Sequence, residues 1–210
     1  MKKLSEVNKE FSEFGKKMLI LAILALISFV LGIIAYAVPA IQYVNWAILV
    51  VSIVILIIAL GNIKTAGEAL DNNANLASFR SKIIVALILA LIGTIFITIG
   101  YASIMAIVNG PDPGSTAAIQ GYISFGILIL IGIVVLVVGA VFEIIAWGSL
   151  RDFFKNNLSM FPEGIGKNAE TGSFLMKLGA IFTLTFILAI VGFILRVIGY
   201  FMMSKLKDLE

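Results

Sequence analysis

Glu143 is the residue whose type and position could do chemistry. It is the only carboxylate within a long uncharged apolar setting, and an ionisable group at membrane depth is where a proton relay or cation site would be built. Arg196 is the second such group, a lone guanidinium near the end of the last apolar stretch. Around them the polar inventory is thin: Asn45, Ser52, Thr94, Thr98, Ser103, Ser124, Thr183 and Thr185. Hydroxyls in helices commonly bond a carbonyl of the preceding turn, which leaves little to line a solute pathway. The sequence also supports a plainer reading of Glu143. Trp147 follows it by about one turn and Arg151 by just over two, and Lys177 enters the next apolar stretch from the same side, so an interfacial ion pair accounts for the charge. Arg196 lies one turn before Tyr200 and can snorkel outward.

The absent residue types bound the chemistry further. The chain has no histidine and no cysteine. Thiol redox chemistry, disulfides, cysteine or histidine zinc sites and histidine acid–base catalysis are thereby excluded. No Asp-Asp, Ser-Lys or His-Glu pair sits at membrane depth. The sequence therefore points to no enzyme, no cofactor and no metal site, with only carboxylate metal ligation left open by composition. The net charge of +3 comes from basic residues at the ends of apolar segments rather than from one patch, which argues against nucleic acid.

The elements that carry these residues are membrane spans. A charge-free run extends from Met18 to Ile63, long enough for two crossings at about 20 residues each. It is interrupted at Val38-Pro39-Ala40. Uncharged stretches follow at Ile83–Pro111, Pro113–Phe142 and Leu178–Leu195. Of the 210 residues, 61% are hydrophobic and 13% charged, so no extramembrane domain fits. The expected fold is an all-α polytopic transmembrane helix bundle with five spans, near Met18–Val38, Ile41–Gly61, Ile83–Val108, Gly121–Gly148 and Leu178–Met202. In segments, residues 1–17 form an amphipathic helix, 18–61 and 83–148 two hairpins, 62–82 and 149–177 the cytoplasmic loops, 178–203 a fifth helix and 204–210 a short tail.

Orientation follows from lysine and arginine. Twelve of them lie in residues 1–17 and in the segments after spans two and four, and none in the two intervening turns. That puts the N-terminus in the cytoplasm. Five crossings then put the C-terminus outside with Arg196, Lys205 and Lys207, against the charge rule; a re-entrant last segment would remove the conflict. An internal repeat favours five crossings. Phe14–Ala37 aligns without gaps on Phe79–Ala102, 65 residues on, with ten of 24 positions identical, among them Phe14/Phe79, Lys17/Lys82 and Tyr36/Tyr101. Span five carries similar punctuation, Phe174-Leu-Met-Lys177 and Ile198-Gly-Tyr200. The expectation is a parallel repeat of a helical hairpin, with the fifth helix beginning a third copy.

Two further patterns concern packing. Leu4, Val7, Phe11, Phe14 and Met18 recur at helical spacing, as do Leu150, Phe153, Phe154, Leu158 and Phe161. These faces read as interfacial anchors or partner-docking surfaces. Small residues form stripes: Ala25, Ser28, Gly32 and Ala35; Ala90, Gly93 and Gly100; Gly132, Gly139 and Ala146; Thr185, Gly192 and Gly199. Such stripes allow close helix approach, within the chain or between subunits. The partners expected are the lipid bilayer and, through those stripes, a second copy or a larger membrane complex.

The region from Trp147-Gly-Ser-Leu-Arg151 to Ile198-Gly-Tyr200 resembles prokaryotic, largely archaeal, multi-pass membrane proteins of the domain-of-unknown-function class. The likeness lies in Gly179-Ala-Ile181 and Gly192-Phe-Ile-Leu195, covers about the last third, and implies no activity and no catalytic residue. Two functional classes remain. One is a non-catalytic membrane protein that packs with itself or as an accessory subunit of a complex. The other is a small-solute or ion channel or carrier, which Glu143 and the repeat would serve.

Overall fold

The computed structural model describes residues 2–35, 37–38, 40–185 and 188–209. The described residues form six α-helices: α1 (Lys2–Ile34), α2 (Ile41–Ala69), α3 (Ala74–Val108), α4 (Thr116–Asn156), α5 (Ile165–Leu184) and α6 (Ala189–Met203). Short 3-10 segments follow α4, at Leu158–Met160, and α6, at Ser204–Leu209. The helices are rich in Val and Ile, which are mediocre helix formers in water. In a bilayer the helix is enforced, because it satisfies each backbone group within its own segment.

Five helical stretches are long and apolar enough to cross a membrane: Leu4–Ile34, Ile41–Ala69, Ala74–Val108, Thr116–Asn156 and Ala189–Leu209. Their flanks carry most of their large exposed side chains, including Ile33, Val50, Ile57, Ile95, Ile123, Leu130, Val134 and Ile190. Soluble monomers do not present so continuous an apolar exterior. This is a multi-pass membrane protein, and its exterior faces lipid.

Local chemistry sets the breaks. Asn73 caps α3 by accepting the Asn75 and Leu76 amides, and Asp71 and Asn72 adopt positive φ in the turn before it. Ser115 caps α4 through the Ala118 amide, after the Gly110-Pro-Asp-Pro-Gly114 turn. Gly164, at φ +85°, opens α5 in a conformation that L side chains resist.

The chain divides into two compact units. One comprises residues 83–143; the other combines residues 1–82 with 144–210. In the smaller unit, α3 and α4 form an antiparallel hairpin with its glycines at the contact. A Cβ on Gly93 would lie 2.8 Å from the Gly132 carbonyl oxygen, and one on Gly100 would lie 2.9 Å from that of Phe125.

In the larger unit, α1 and α2 pair antiparallel. Ser28 Oγ hydrogen-bonds the Asn45 amide at one level, and Asn62 Nδ2 donates to Glu10 Oε2 (2.6 Å) at another. The last third departs from expectation. Residues 178–203 are not one helix: the chain breaks after Leu184, and α5 and α6 fold back on each other. Gly172 meets Gly199 and Gly179 meets Gly192, so the two arms run antiparallel. The break has a local cause. Thr185 Oγ1 donates to the Phe182 carbonyl (2.8 Å) and accepts the Leu188 amide (3.3 Å), closing a hydroxyl-stabilised turn without glycine or proline. Phe174 and Ile198-Gly-Tyr200 thus lie on different arms, and this segment is not a third copy of the repeated helix. Thr185 sits in the turn and leaves the stripe that includes Gly192 and Gly199.

The returning arm runs alongside α1. Phe193 stacks on Phe29 at 4.8 Å, and residues 206–207 lie against Gly15, where a Cβ would come within 2.5 Å of the Lys207 nitrogen. Ser12 Oγ donates to the Lys207 carbonyl (3.0 Å). Residues 204–209 are therefore docked on the charged half of α1 rather than at its far end.

Candidate functional site

The densest part of the larger unit lies where the charged ends of the helices converge. Phe11 and Phe14 of α1, Phe79 of α3, and Trp147, Phe153 and Phe154 of α4 are all buried, and Phe161 nearly so. Phe11 stacks on Phe153 (5.4 Å) and meets Phe161 edge-on (5.4 Å); Phe79 lies 5.0 Å from Trp147 and 6.5 Å from Phe14. Pairs at such separations contribute about 0.5–1.5 kcal/mol each beyond area burial. Val7, Met18, Leu76, Leu150, Met176 and Leu206 fill the rest of this core.

This corrects the reading of the two amphipathic segments. The Val7, Phe11, Phe14 and Met18 face of α1 does not lie on the membrane or await a partner, and neither does the Leu150, Phe153, Phe154 and Phe161 face. They bury each other. Only Leu4 and Leu158, at the ends of the two stripes, stay exposed. The spacing identified amphipathic faces correctly, but an aromatic face long enough to coat an interface is equally able to coat a core.

Charged groups ring this core. Glu13 pairs with Lys16 (2.8 Å) and Lys17 (3.0 Å). Arg151 has Glu170 of α5 as a carboxylate neighbour (3.9 Å), and its guanidinium lies 4.6 Å above the Phe174 ring. Lys177 lays its stem over Gly148. Ser78 and Ser149 hydrogen-bond each other (3.0 Å), and Lys82 donates to Ser78 (2.6 Å).

The intramembrane charges fall as follows. Glu143 is the last residue of the smaller unit and is half-buried. Arg196 is half-buried on α6, its stem pressed over Gly179, where a Cβ would lie 2.6 Å from Arg196 Cγ. Gly93, Gly132 and Gly139 all sit in the α3–α4 contact, a Cβ on Gly139 falling 3.1 Å from Leu89 Cβ. Gly192 and Gly199 sit in the α5–α6 contact. These glycine contacts are all within one chain. Sequence reasoning missed Gly172 and Gly179, although their seven-residue spacing mirrors that of Gly192 and Gly199 across the turn. It also missed Gly15, whose role shows only once residues 204–209 lie against it.

A second feature lies at the α2–α3 turn. A cleft of about 160 Å³ is lined by the buried Ile63, Gly67 and Leu76 and by the more exposed Lys64, Glu68, Asn72, Asn73, Ala77 and Arg80. Among the described residues no group of His, Cys, Asp and Glu side chains could hold a metal ion.

The chain matches no protein-family model, no curated protein and no solved structure.

Proposed function

We propose that the protein is a non-catalytic, structural membrane protein that acts as a packing or accessory subunit. Its charged helix ends would be locked together on the cytoplasmic side and its apolar helices surrounded by lipid. The observation that carries this reading is the buried aromatic core at the charged ends. It holds four separate stretches of chain with apolar and aromatic contacts, and its charges pair at the rim rather than converging on a cavity. A channel or carrier would need Glu143 to work on a permeant ion. In proteoliposomes, the parent and Glu143→Gln are expected to show the same proton and cation leak. A flux present in the parent and lost in the variant would overturn this choice.

The reading includes a revised topology. The basic residues at the start of α1 favour a cytoplasmic position for it, and residues 204–209 dock on that same half of α1. Lys205 and Lys207 then lie inside with the other basic flanks, and their conflict with the charge rule disappears. Exposed Tyr43 and Trp46, at the other end of α2 from Lys64, mark the opposite interface as amphipathic anchors. The chain has no cysteine, so single cysteines can be introduced at Ser5, Ser115 and Lys205. In intact cells an impermeant thiol reagent is expected to label position 115 alone. Labelling at 205 without permeabilisation would restore an outside position for residues 204–209.

A further inference from the structure

We propose that the cleft between the end of α2 and the start of α3 binds the phosphate group of a phospholipid headgroup, with Arg80, Lys64 and Asn72 as its donors. The inference rests on the reading of the chain as a membrane protein.

The position of the cleft is the first support. The uncharged run of α2 ends at Ile63, and Lys64 is its first charged residue; the run of α3 begins at Ile83, just after Arg80 and Lys82. Ile63 and Lys64 both line the cleft, as does Arg80. The cleft thus straddles the level at which apolar surface gives way to charge, where lipid phosphates lie.

The donor set is the second. Two cations face one carboxylate, Glu68, so the rim is net positive. Lys64 is held only loosely by Glu68 (3.6 Å, both side chains more than half exposed). Among the described residues, the side chains of Arg80 and Asn72 have no ion-pair or hydrogen-bond partner. Lys82, by contrast, is taken by Ser78. A half-buried guanidinium with no partner is poised for a planar oxyanion face, which it can meet with two parallel hydrogen bonds. Asn72 is held in the cleft by its left-handed backbone, φ 60°, a conformation asparagine tolerates.

Shape is the third. At about 160 Å³ the cleft is smaller than the roughly 300–1,000 Å³ of a pocket for a drug-sized ligand. That size suits a compact headgroup. The cleft's floor of Ile63, Gly67 and Leu76 is buried and apolar. Ile57, on the same face of α2 as Lys64 and about two turns further along, is exposed surface on which an acyl chain can lie.

The test uses the whole chain in phosphatidylcholine nanodiscs doped with phosphatidylglycerol, with retained lipid counted by native mass spectrometry. The parent is expected to keep one phosphatidylglycerol. Arg80→Gln is expected to lower its occupancy about tenfold, the worth of a charge-assisted hydrogen bond. Glu68→Gln, which frees Lys64, is expected to raise it; a merely structural rim would show no gain. Lys205→Gln removes an exposed lysine elsewhere and is expected to change nothing. Retention unchanged in Arg80→Gln, or lost equally in Lys205→Gln, would overturn the proposal. So would displacement of the lipid by millimolar inorganic phosphate, which would mark a soluble-anion site. A chain that fails to enter nanodiscs at all would bring down the membrane reading and the proposal with it, an outcome distinct from a lipid-free but inserted protein.

Discussion

Trp147→Ala is expected to destabilise the protein by about 3–5 kcal/mol, the range for emptying the site of a large buried aromatic. Trp147 is 1% exposed and sits where α3 and α4 meet, 5.0 Å from Phe79. Phe79 in turn touches Phe14. Removing the indole therefore leaves a void that several rigid rings must share, and rings cannot flow into it as a methionine can. Unfolding by graded denaturing detergent reads the change. Trp46, 56% exposed at the start of α2, supplies the control. Trp46→Ala in detergent should stay within about 0.5 kcal/mol of the parent, as for other surface positions. Equal losses at the two tryptophans would mean that the aromatic core does not hold the helix ends together.

The second large effect is a pair of identical substitutions with opposite signs. Gly179→Ala puts a methyl 2.6 Å from Arg196 Cγ and 2.8 Å from the Gly192 carbonyl oxygen. The arginine stem can move, but the carbonyl belongs to a helix and cannot. The arms of the α5–α6 hairpin must part, at a cost of about 1–3 kcal/mol. Gly126 has nothing within 4 Å of where its Cβ would be. There the same change should stabilise α4 by about 0.5–1 kcal/mol, the ordinary helix preference for alanine over glycine. Midpoints of thermal unfolding in detergent should move in opposite directions. Destabilisation at Gly126 to the same degree as at Gly179 would show that glycine spacing, not backbone contact, was being read.

The sequence made the helices legible because hydropathy at span length is a strong signal and charge marks the ends. It located Gly93 against Gly132 in kind, as stripes for close approach, though not as partners. What it hid has two physical sources. The turn at Thr185 uses a threonine hydroxyl in a run of apolar residues, where threonine is equally at home inside a helix, so nothing in residues 178–203 announces the reversal. The destination of the Phe11 and Phe153 faces was hidden because amphipathicity fixes which side is apolar and not what covers it. The repeat compounded the first difficulty: Ile198-Gly-Tyr200 imitates Ile99-Gly-Tyr101 in letters while belonging to an arm that returns toward the start of α1. The cleft at the α2–α3 turn escaped because its donors, Lys64, Asn72 and Arg80, look in sequence like ordinary flanking charge.

The notch at Gly15 bears on the order of assembly at the ribosome. Ser12 and the carbonyl it binds are 195 residues apart. At about 5–20 residues per second, α1 waits on the order of 10–40 s for residues 204–209 to be synthesised. Throughout that interval the notch itself stays open, whereas the aromatic face of α1 is covered earlier, by Phe79 and then by Phe153 and Phe161. Closure of the notch is thus a late event, and maturation of the fold is timed by translation of its last described residues rather than by insertion of its first helix.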